Sequence, residues 1–161
     1  MEHYGVPHPM RDGDVKRRAV TASYSSLSSK PYSKMANSFF MKLLEILNLS
    51  ADYDVLFGKT EFVLFETEIF KFDFTILHEG KPKIIIDFHG RMFHPKNGYI
   101  PNGNPFHIDI LKQEQRDHAR SVAAGEICPY LVVWEEDIRK DYKDVLQKTS
   151  GQISTMIVGG N

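Results

Sequence analysis

Apolar residues recur along the chain with three different periods, and each period predicts a different element. From Ser33 onward, Met35, Phe39, Leu43 and Leu47, flanked by Phe40, Leu44 and Ile46, repeat at helical spacing, with Ser33 placed to cap the first turn. Residues 48–59 are polar and turn-like, with Gly58 near their end. Three extended segments follow. Residues 62–65 are short and apolar. Phe70, Phe72, Phe74 and Ile76 then alternate with Lys71, Asp73, Thr75 and Leu77, the period of a strand, which places Asp73 on the face opposite the four apolar residues. After a turn at 78–82, the Ile84-Ile85-Ile86 run within 83–88 predicts a central strand buried on both faces. Ile108, Leu111, Ala119, Val122 and Ala123 restore a helical period that Gly125 closes. Tyr130–Trp134 reads as another doubly buried strand, and Asp137 as the cap of a helix with Ile138, Tyr142, Val145 and Leu146 inward.

The resulting order, α-β-β-β-α-β-α, predicts an α/β fold with a mixed central sheet flanked by helices. Residues 1–33 lack any apolar period and are rich in Ser, Tyr, Pro and basic side chains, so a basic N-terminal arm is expected there. Residues 34–148 form the expected domain, and 149–161 a fraying C-terminal tail. Residues 94–106 hold three prolines, two glycines and three asparagines, and a loop of this length within a domain is functional or mobile.

Composition narrows the class. At 161 residues, with 42% hydrophobic and 25% charged residues, the chain reads as one ordinary globular domain. No apolar run approaches the roughly 18–20 residues that span a bilayer, and no secretion signal opens the sequence, so no membrane partner is expected. The single cysteine, Cys128, excludes an internal disulfide and a zinc site of paired cysteines. A reducing, cytoplasmic location is expected. The net charge of −1 hides an asymmetry: Arg11, Lys16, Arg17, Arg18, Lys30, Lys34 and Lys42 face only Glu2, Asp12 and Asp14 in residues 1–42, whereas the other 13 basic residues face 18 acidic ones. A basic end on an acidic body suits a protein that grips phosphate with one part, and Lys16-Arg17-Arg18 is the natural contact.

Asp87 and His89 stand two apart at the end of the Ile-rich strand, so both point to one face of the sheet. A carboxylate at the exit of a buried strand needs a positive partner. Strands 70–77 and 83–88 are joined by a short turn and should pair as a hairpin, which brings Asp73 toward Asp87. Mg²⁺ or Mn²⁺ relieves the repulsion of two such acids and acts on phosphodiesters. Glu61 is a candidate third acid, with Glu45 on the first helix its rival. His94 could deprotonate an attacking water. Exposed beside such a site, Met92 and Phe93 could wedge against bases. Arg116 and Arg120, one turn apart on a helix, suit a phosphate contact.

Asp73 on one strand, Asp87-x-His89 on the next, a basic helix and a VVWE strand together resemble the PD-(D/E)XK nuclease core, with histidine in the lysine position. More narrowly, IIIDFHGRMFHP, QRDHAR and YLVVWEED resemble the very-short-patch repair endonucleases and their phage homing relatives, the EDxHD enzymes, over residues 33–140. The resemblance implies Asp73 as principal metal ligand, Asp87 as second acid, and a backbone carbonyl near Phe88 as a further ligand. It implies His94 as general base, His89 as assisting it or positioning the phosphate, and Met92 and Phe93 as base-inserting residues. Glu61 falls where the phage relatives open their first strand with an acid. Arg91 stands where several of those relatives carry an acid, and falls among the residues expected to contact DNA. The chain lacks the repair enzymes' zinc cysteines and carries the long loop after His94, so the expected function is a sequence-specific homing endonuclease acting on double-stranded DNA, in a host cytoplasm if phage-encoded. A homodimer or larger assembly fits a long target. The alternatives are a very-short-patch mismatch or nicking enzyme and a catalytically inactive DNA-binding module on a nuclease core.

Overall fold

Helix α1 (Lys34–Leu47) starts where the Ser33 side chain accepts the Ala36 N–H at 3.4 Å, and stops at Asn48, whose left-handed backbone (φ 45°) is one that asparagine tolerates. The structure, a computed structural model, describes residues 19–23, 33–66 and 68–159. Strands β1 (Ala19–Ser23), β2 (Tyr53–Phe65), β3 (Ile69–His78), β4 (Lys81–His89) and β5 (Tyr130–Trp134) form a mixed five-stranded sheet in the order β1-β2-β3-β4-β5. The first three pairings are antiparallel, and β4 and β5 run parallel. A parallel neighbour requires a crossover, supplied by α2 (Ile110–Gly125). Two helices end the described chain, α3 (Glu135–Lys140) and α4 (Tyr142–Gly159).

One face of the sheet carries most of the core. Phe74, Ile76, Ile84, Ile86 and Phe88 pack there with Phe39, Phe40 and Leu43 of α1 and Leu146 and Ile153 of α4. The Phe40 and Phe74 rings stack at 4.7 Å. At about 2 kcal/mol for each large apolar side chain removed from water, this layer dominates stability. The other face holds a smaller cluster of Phe62, Leu64, Phe70, Phe72, Leu77, Ile85 and Cys128, to which α2 contributes only Ala123 and Ala124.

Phe70 and Phe72 therefore lie on the side opposite to Phe74 and Ile76, although simple alternation predicts one shared face. The switch coincides with a break in the β2–β3 register: Phe57 pairs with Phe74 and Phe62 with Phe72, so residues 58–61 stand opposite Asp73 alone. Bulges re-aim the side chains around them, and this one falls where the buried face of β3 changes, at Asp73.

Other expectations are revised as well. The expected short strand at 62–65 begins at Tyr53, within the stretch expected to be a turn. Residues 19–23 of the expected arm pair as an edge strand along β2. Strand β5 is the opposite edge of the sheet, with only Val133 buried, instead of a doubly covered strand. Asp137 lies inside α3, and the Asp141 carboxylate caps α4 by accepting the Asp144 N–H at 3.0 Å. Helix α4 continues through the expected tail to Gly159, its far half anchored by Ile153. No helix among the described residues is long and apolar enough to cross a membrane.

Cys128, just beyond α2, is packed in the smaller cluster, and burial pushes its thiol up to about 12. Thiolate is the reactive form. Cys128 is therefore expected to resist a thiol-specific disulfide reagent in the folded chain and to react fully in denaturant. Rapid labelling under native conditions would show that this face opens.

Candidate functional site

The site is built where β3 and β4 part company. Their paired residues run as far as Phe74 and Ile86. One step beyond stand Asp73 and Asp87, and side chains take over from the ladder. The Asp73 N–H donates to Asp87 Oδ1 at 3.0 Å, and the Phe88 N–H donates to Asp73 Oδ2 at 2.8 Å. Each acid is thus held by the backbone of the opposite strand, and the convergence expected from the hairpin is present. The two carboxylates differ electrically. Burial, reinforced by the charge of Asp87, pushes Asp73 up to about 7, against the opposing Phe88 N–H and Arg120. Burial alone would also raise Asp87, but the charge and hydrogen bond of Arg120, the Asp73 N–H and the Tyr130 hydroxyl outweigh it and hold Asp87 below the usual carboxylate range.

Arg120 reaches down from α2 to form this clamp. Its Nε donates to Asp87 Oδ2 and its Nη2 donates to Asp87 Oδ1 at 3.1 Å and to the Lys71 carbonyl oxygen. The guanidinium lies 4.8 Å from the Phe72 ring centroid. The Tyr130 hydroxyl, from the neighbouring strand β5, donates to Asp87 Oδ2 at 2.8 Å. The side chain of Asp87, 1% exposed, is surrounded by donors.

Beyond Asp87 the same face presents His89, 4% exposed, with its ring edge-on to Trp134 at 4.8 Å and stacked on His94 at 4.0 Å with an interplanar angle of 8°. Neither nitrogen of His89 has a hydrogen-bond partner among the described residues. Burial and the nearby His94 lower its pKa to about 4, so it is neutral at pH 7. His94 is brought back over His89 by a turn in which its N–H donates to the Gly90 carbonyl at 3.0 Å. Its Nδ1 lies 3.1 and 3.0 Å from the two Asp117 oxygens. Burial would raise Asp117, yet the hydrogen bonds of His94 and Gln113 lower it. An ionised carboxylate only accepts, so Nδ1 is the donor and Nε2 is left as the basic nitrogen. One nitrogen each from His89 and His94 and one oxygen from Asp117 lie within 4.8 Å of one another.

The loop after His94 is ordered by its turns. Asn97 and Gly98, both with positive φ (53° and 76°), make a two-residue hairpin in which Lys96 and Tyr99 exchange hydrogen bonds of 3.1 and 3.2 Å. Lys96 then pairs with Asp137 at 2.6 Å, above the Trp134 ring. The exposed Phe93 stacks on the equally exposed Phe106 at 4.9 Å.

No family model, curated protein or solved structure matches this chain.

The remaining expected residues are distributed as follows. Glu61 pairs with Ala22 of β1 at the end of the β2 irregularity opposite Asp73, and its carboxylate faces the Lys71 ammonium at 3.8 Å. Glu45, its rival, is exposed on α1, across the sheet, in an ion pair with Lys42. Arg91 is turned toward Glu135, which accepts the Arg91 N–H at 3.0 Å. Met92 is half-buried and Phe93 exposed. Arg116 is exposed, whereas Arg120 is inserted against Asp87, so the expected shared phosphate-facing surface of these two arginines is not formed. Lys16, Arg17 and Arg18 lie outside the described residues. Sequence reasoning missed Tyr130, Gln113, Phe106 and the pairing of Asp117 with His94. Gln113 and Asp117 do carry a signal: four apart, they share a helix face.

The two buried titrations have opposite signs. His89 binds protons near 4 when folded but near 6.5 when unfolded, so its contribution to stability is full above 6.5 and is lost as pH falls toward 4. Asp73, near 7 when folded and 3.8 when unfolded, makes the folded chain more stable as pH falls through the same window. His89→Phe keeps a ring in place and removes only the first effect. With a chelator present, the variant is expected to gain roughly 3 kcal/mol relative to wild type between pH 7 and pH 4, read from urea midpoints. Parallel pH profiles for the two proteins would refute the opposition.

Proposed function

We propose that this chain is a divalent-metal-dependent, sequence-specific DNA endonuclease of the homing type, built on a PD-(D/E)XK-like core. The observation that carries the reading is the meeting of Asp73 and Asp87 at the ends of adjacent strands, with His89 and His94 on the same side of the sheet. The residues fit a cation unevenly. Asp73 suits one, because its carboxyl is pushed up by burial and by the charge of Asp87, the condition that a cation relieves. Both Asp87 oxygens are already engaged by Arg120, Tyr130 and the Asp73 N–H, so Asp87 serves better to fix Asp73 and the strand end than to ligate directly. Asp73 and the nearby backbone of Phe88 would hold Mg²⁺ or Mn²⁺, and an ion there supplies charge neutralisation at a scissile phosphate.

The chain's own residues do the rest. Asp117 fixes the His94 ring, and His94 Nε2 accepts a proton from the attacking water. His89, stacked beneath, holds the ring plane of His94. The exposed Phe93 and Phe106 offer apolar faces to bases, and Arg116 a charge to phosphate. A second reading, the inactive DNA-binding module, is favoured by one feature: Arg120 neutralises Asp87 as a cation would. Supercoiled plasmid carrying candidate targets separates the two. Nicking or linearisation that needs Mg²⁺ or Mn²⁺ is expected, and tight DNA binding with no cutting at any divalent ion would replace the first reading by the second.

A further inference from the structure

We propose that His89, His94 and Asp117 form a separate binding site for a divalent transition metal of the zinc class. The donors come from three places in the fold: the end of β4, the turn after it, and the inner face of α2. Their candidate ligand atoms already lie within 4.8 Å of one another. Zinc bonds to nitrogen and oxygen at about 2.0–2.2 Å, which places tetrahedral donors about 3.3 Å apart. The metal would replace the proton between His94 Nδ1 and Asp117, and small rotations of the two side chains then close that gap. His89 supplies the independent pointer. An imidazole buried to 4% exposure with both nitrogens unpartnered is the group a native interior avoids, and a metal bond on one nitrogen resolves it.

The chemistry of the donors sets the class of ion. Two imidazoles and one carboxylate suit Zn²⁺, Co²⁺, Mn²⁺ or Fe²⁺, whereas Mg²⁺ prefers an all-oxygen shell. Around the triad, Gln113 donates to Asp117 at 2.8 Å and orients it, as partners of metal-bound carboxylates do. Three protein ligands leave a coordination position open, as in metal sites that bind water or an anion. The proposal does not rest on the nuclease reading: it shares His89, His94 and Asp117 with that reading but not Asp73 and Asp87, and a metal bound here would take the place of the proton-accepting role given to His94.

The test uses the full chain and the metals alone. Trp134 is the sole tryptophan and sits 4.8 Å from His89, so it reports directly on this site. Co²⁺ is expected to bind with one-to-one stoichiometry, to give visible absorption of a nitrogen/oxygen site, and to quench Trp134 fluorescence. Zn²⁺ should displace it and a large excess of Mg²⁺ should not. His89→Ala and, as the milder substitution, Asp117→Asn should each weaken binding at least ~10-fold. Glu45→Gln, on α1 across the sheet, should leave Co²⁺ binding unchanged. Absence of the Co²⁺ signal in wild type, its persistence in both His89→Ala and Asp117→Asn, or its displacement by excess Mg²⁺ would each overturn the proposal.

Discussion

Asp73→Asn is expected to abolish divalent-metal-dependent cleavage of supercoiled DNA, with a loss of at least ~10³-fold, about 4 kcal/mol of barrier. The amide keeps the size of the side chain, and its oxygen can still accept the Phe88 N–H now received by Asp73 Oδ2. Folding should therefore survive. What disappears is the charge that a cation would answer, in a place where burial and Asp87 already make that charge costly. Removing it should leave thermal stability equal to or above that of wild type, because a buried like-charge pair has been relieved. DNA affinity without metal should change little. A variant that still cuts at the wild-type rate would remove Asp73 from the reaction and with it the nuclease assignment.

The second large effect is structural. Arg120→Met leaves the Asp87 carboxylate, 1% exposed, without its cation, and breaking one side of such a pair costs about 3–5 kcal/mol. Asp87→Asn should cost less, since no buried negative charge is stranded: the amide oxygen can keep the Asp73 N–H, and the amide N–H can donate to the Tyr130 hydroxyl oxygen. Combining the two substitutions should recover a large part of the Arg120→Met loss, because the stranded charge is gone. The pH dependence follows with a defined sign. In wild type the Asp87 pKa is below its unfolded value, so its stabilisation is present above about pH 4 and is lost as pH falls through the folded value. Without Arg120, burial dominates, the folded pKa rises, and mild acidification should stabilise the variant. Urea titrations of the four proteins at two pH values measure every term. Additive losses in the double variant would show that the clamp is not a coupled pair.

Much of the sheet and half of the site were legible in the sequence. The period-two pattern at 70–77, the Ile84-Ile85-Ile86 run and the short turn between them are local signals, and they led directly to paired strands with Asp73 near Asp87. The beginning of β2 is obscured because Tyr53 is flanked by Asp52 and Asp54 and Phe57 is followed by Gly58, which reads as a turn when no neighbour is known. The switch of faces at Asp73 falls where the β2–β3 register breaks, and the alternation within 70–77 does not encode it. In α2 the expected apolar stripe misled: Leu111 and Val122 are exposed, 66% and 48%, while Gln113, Asp117 and Arg120 turn inward. A polar face buried against polar partners looks like a solvated face until the partners are placed. The tail was misread for a simpler reason. Ile153 lies seven residues after Leu146, and that two-turn spacing continues the stripe of α4 across Gly151.

The lopsided layering has a consequence for how this protein can change over time. Helix α2 lends only two alanines to the interior, while α1 and α4 carry the opposite face almost unaided. Substitutions at Leu111, Arg116 or Val122 therefore put little of the folding energy at risk. Changes in surface chemistry could accumulate on that helix and on the neighbouring loop by drift, without first acquiring a reserve of stability elsewhere.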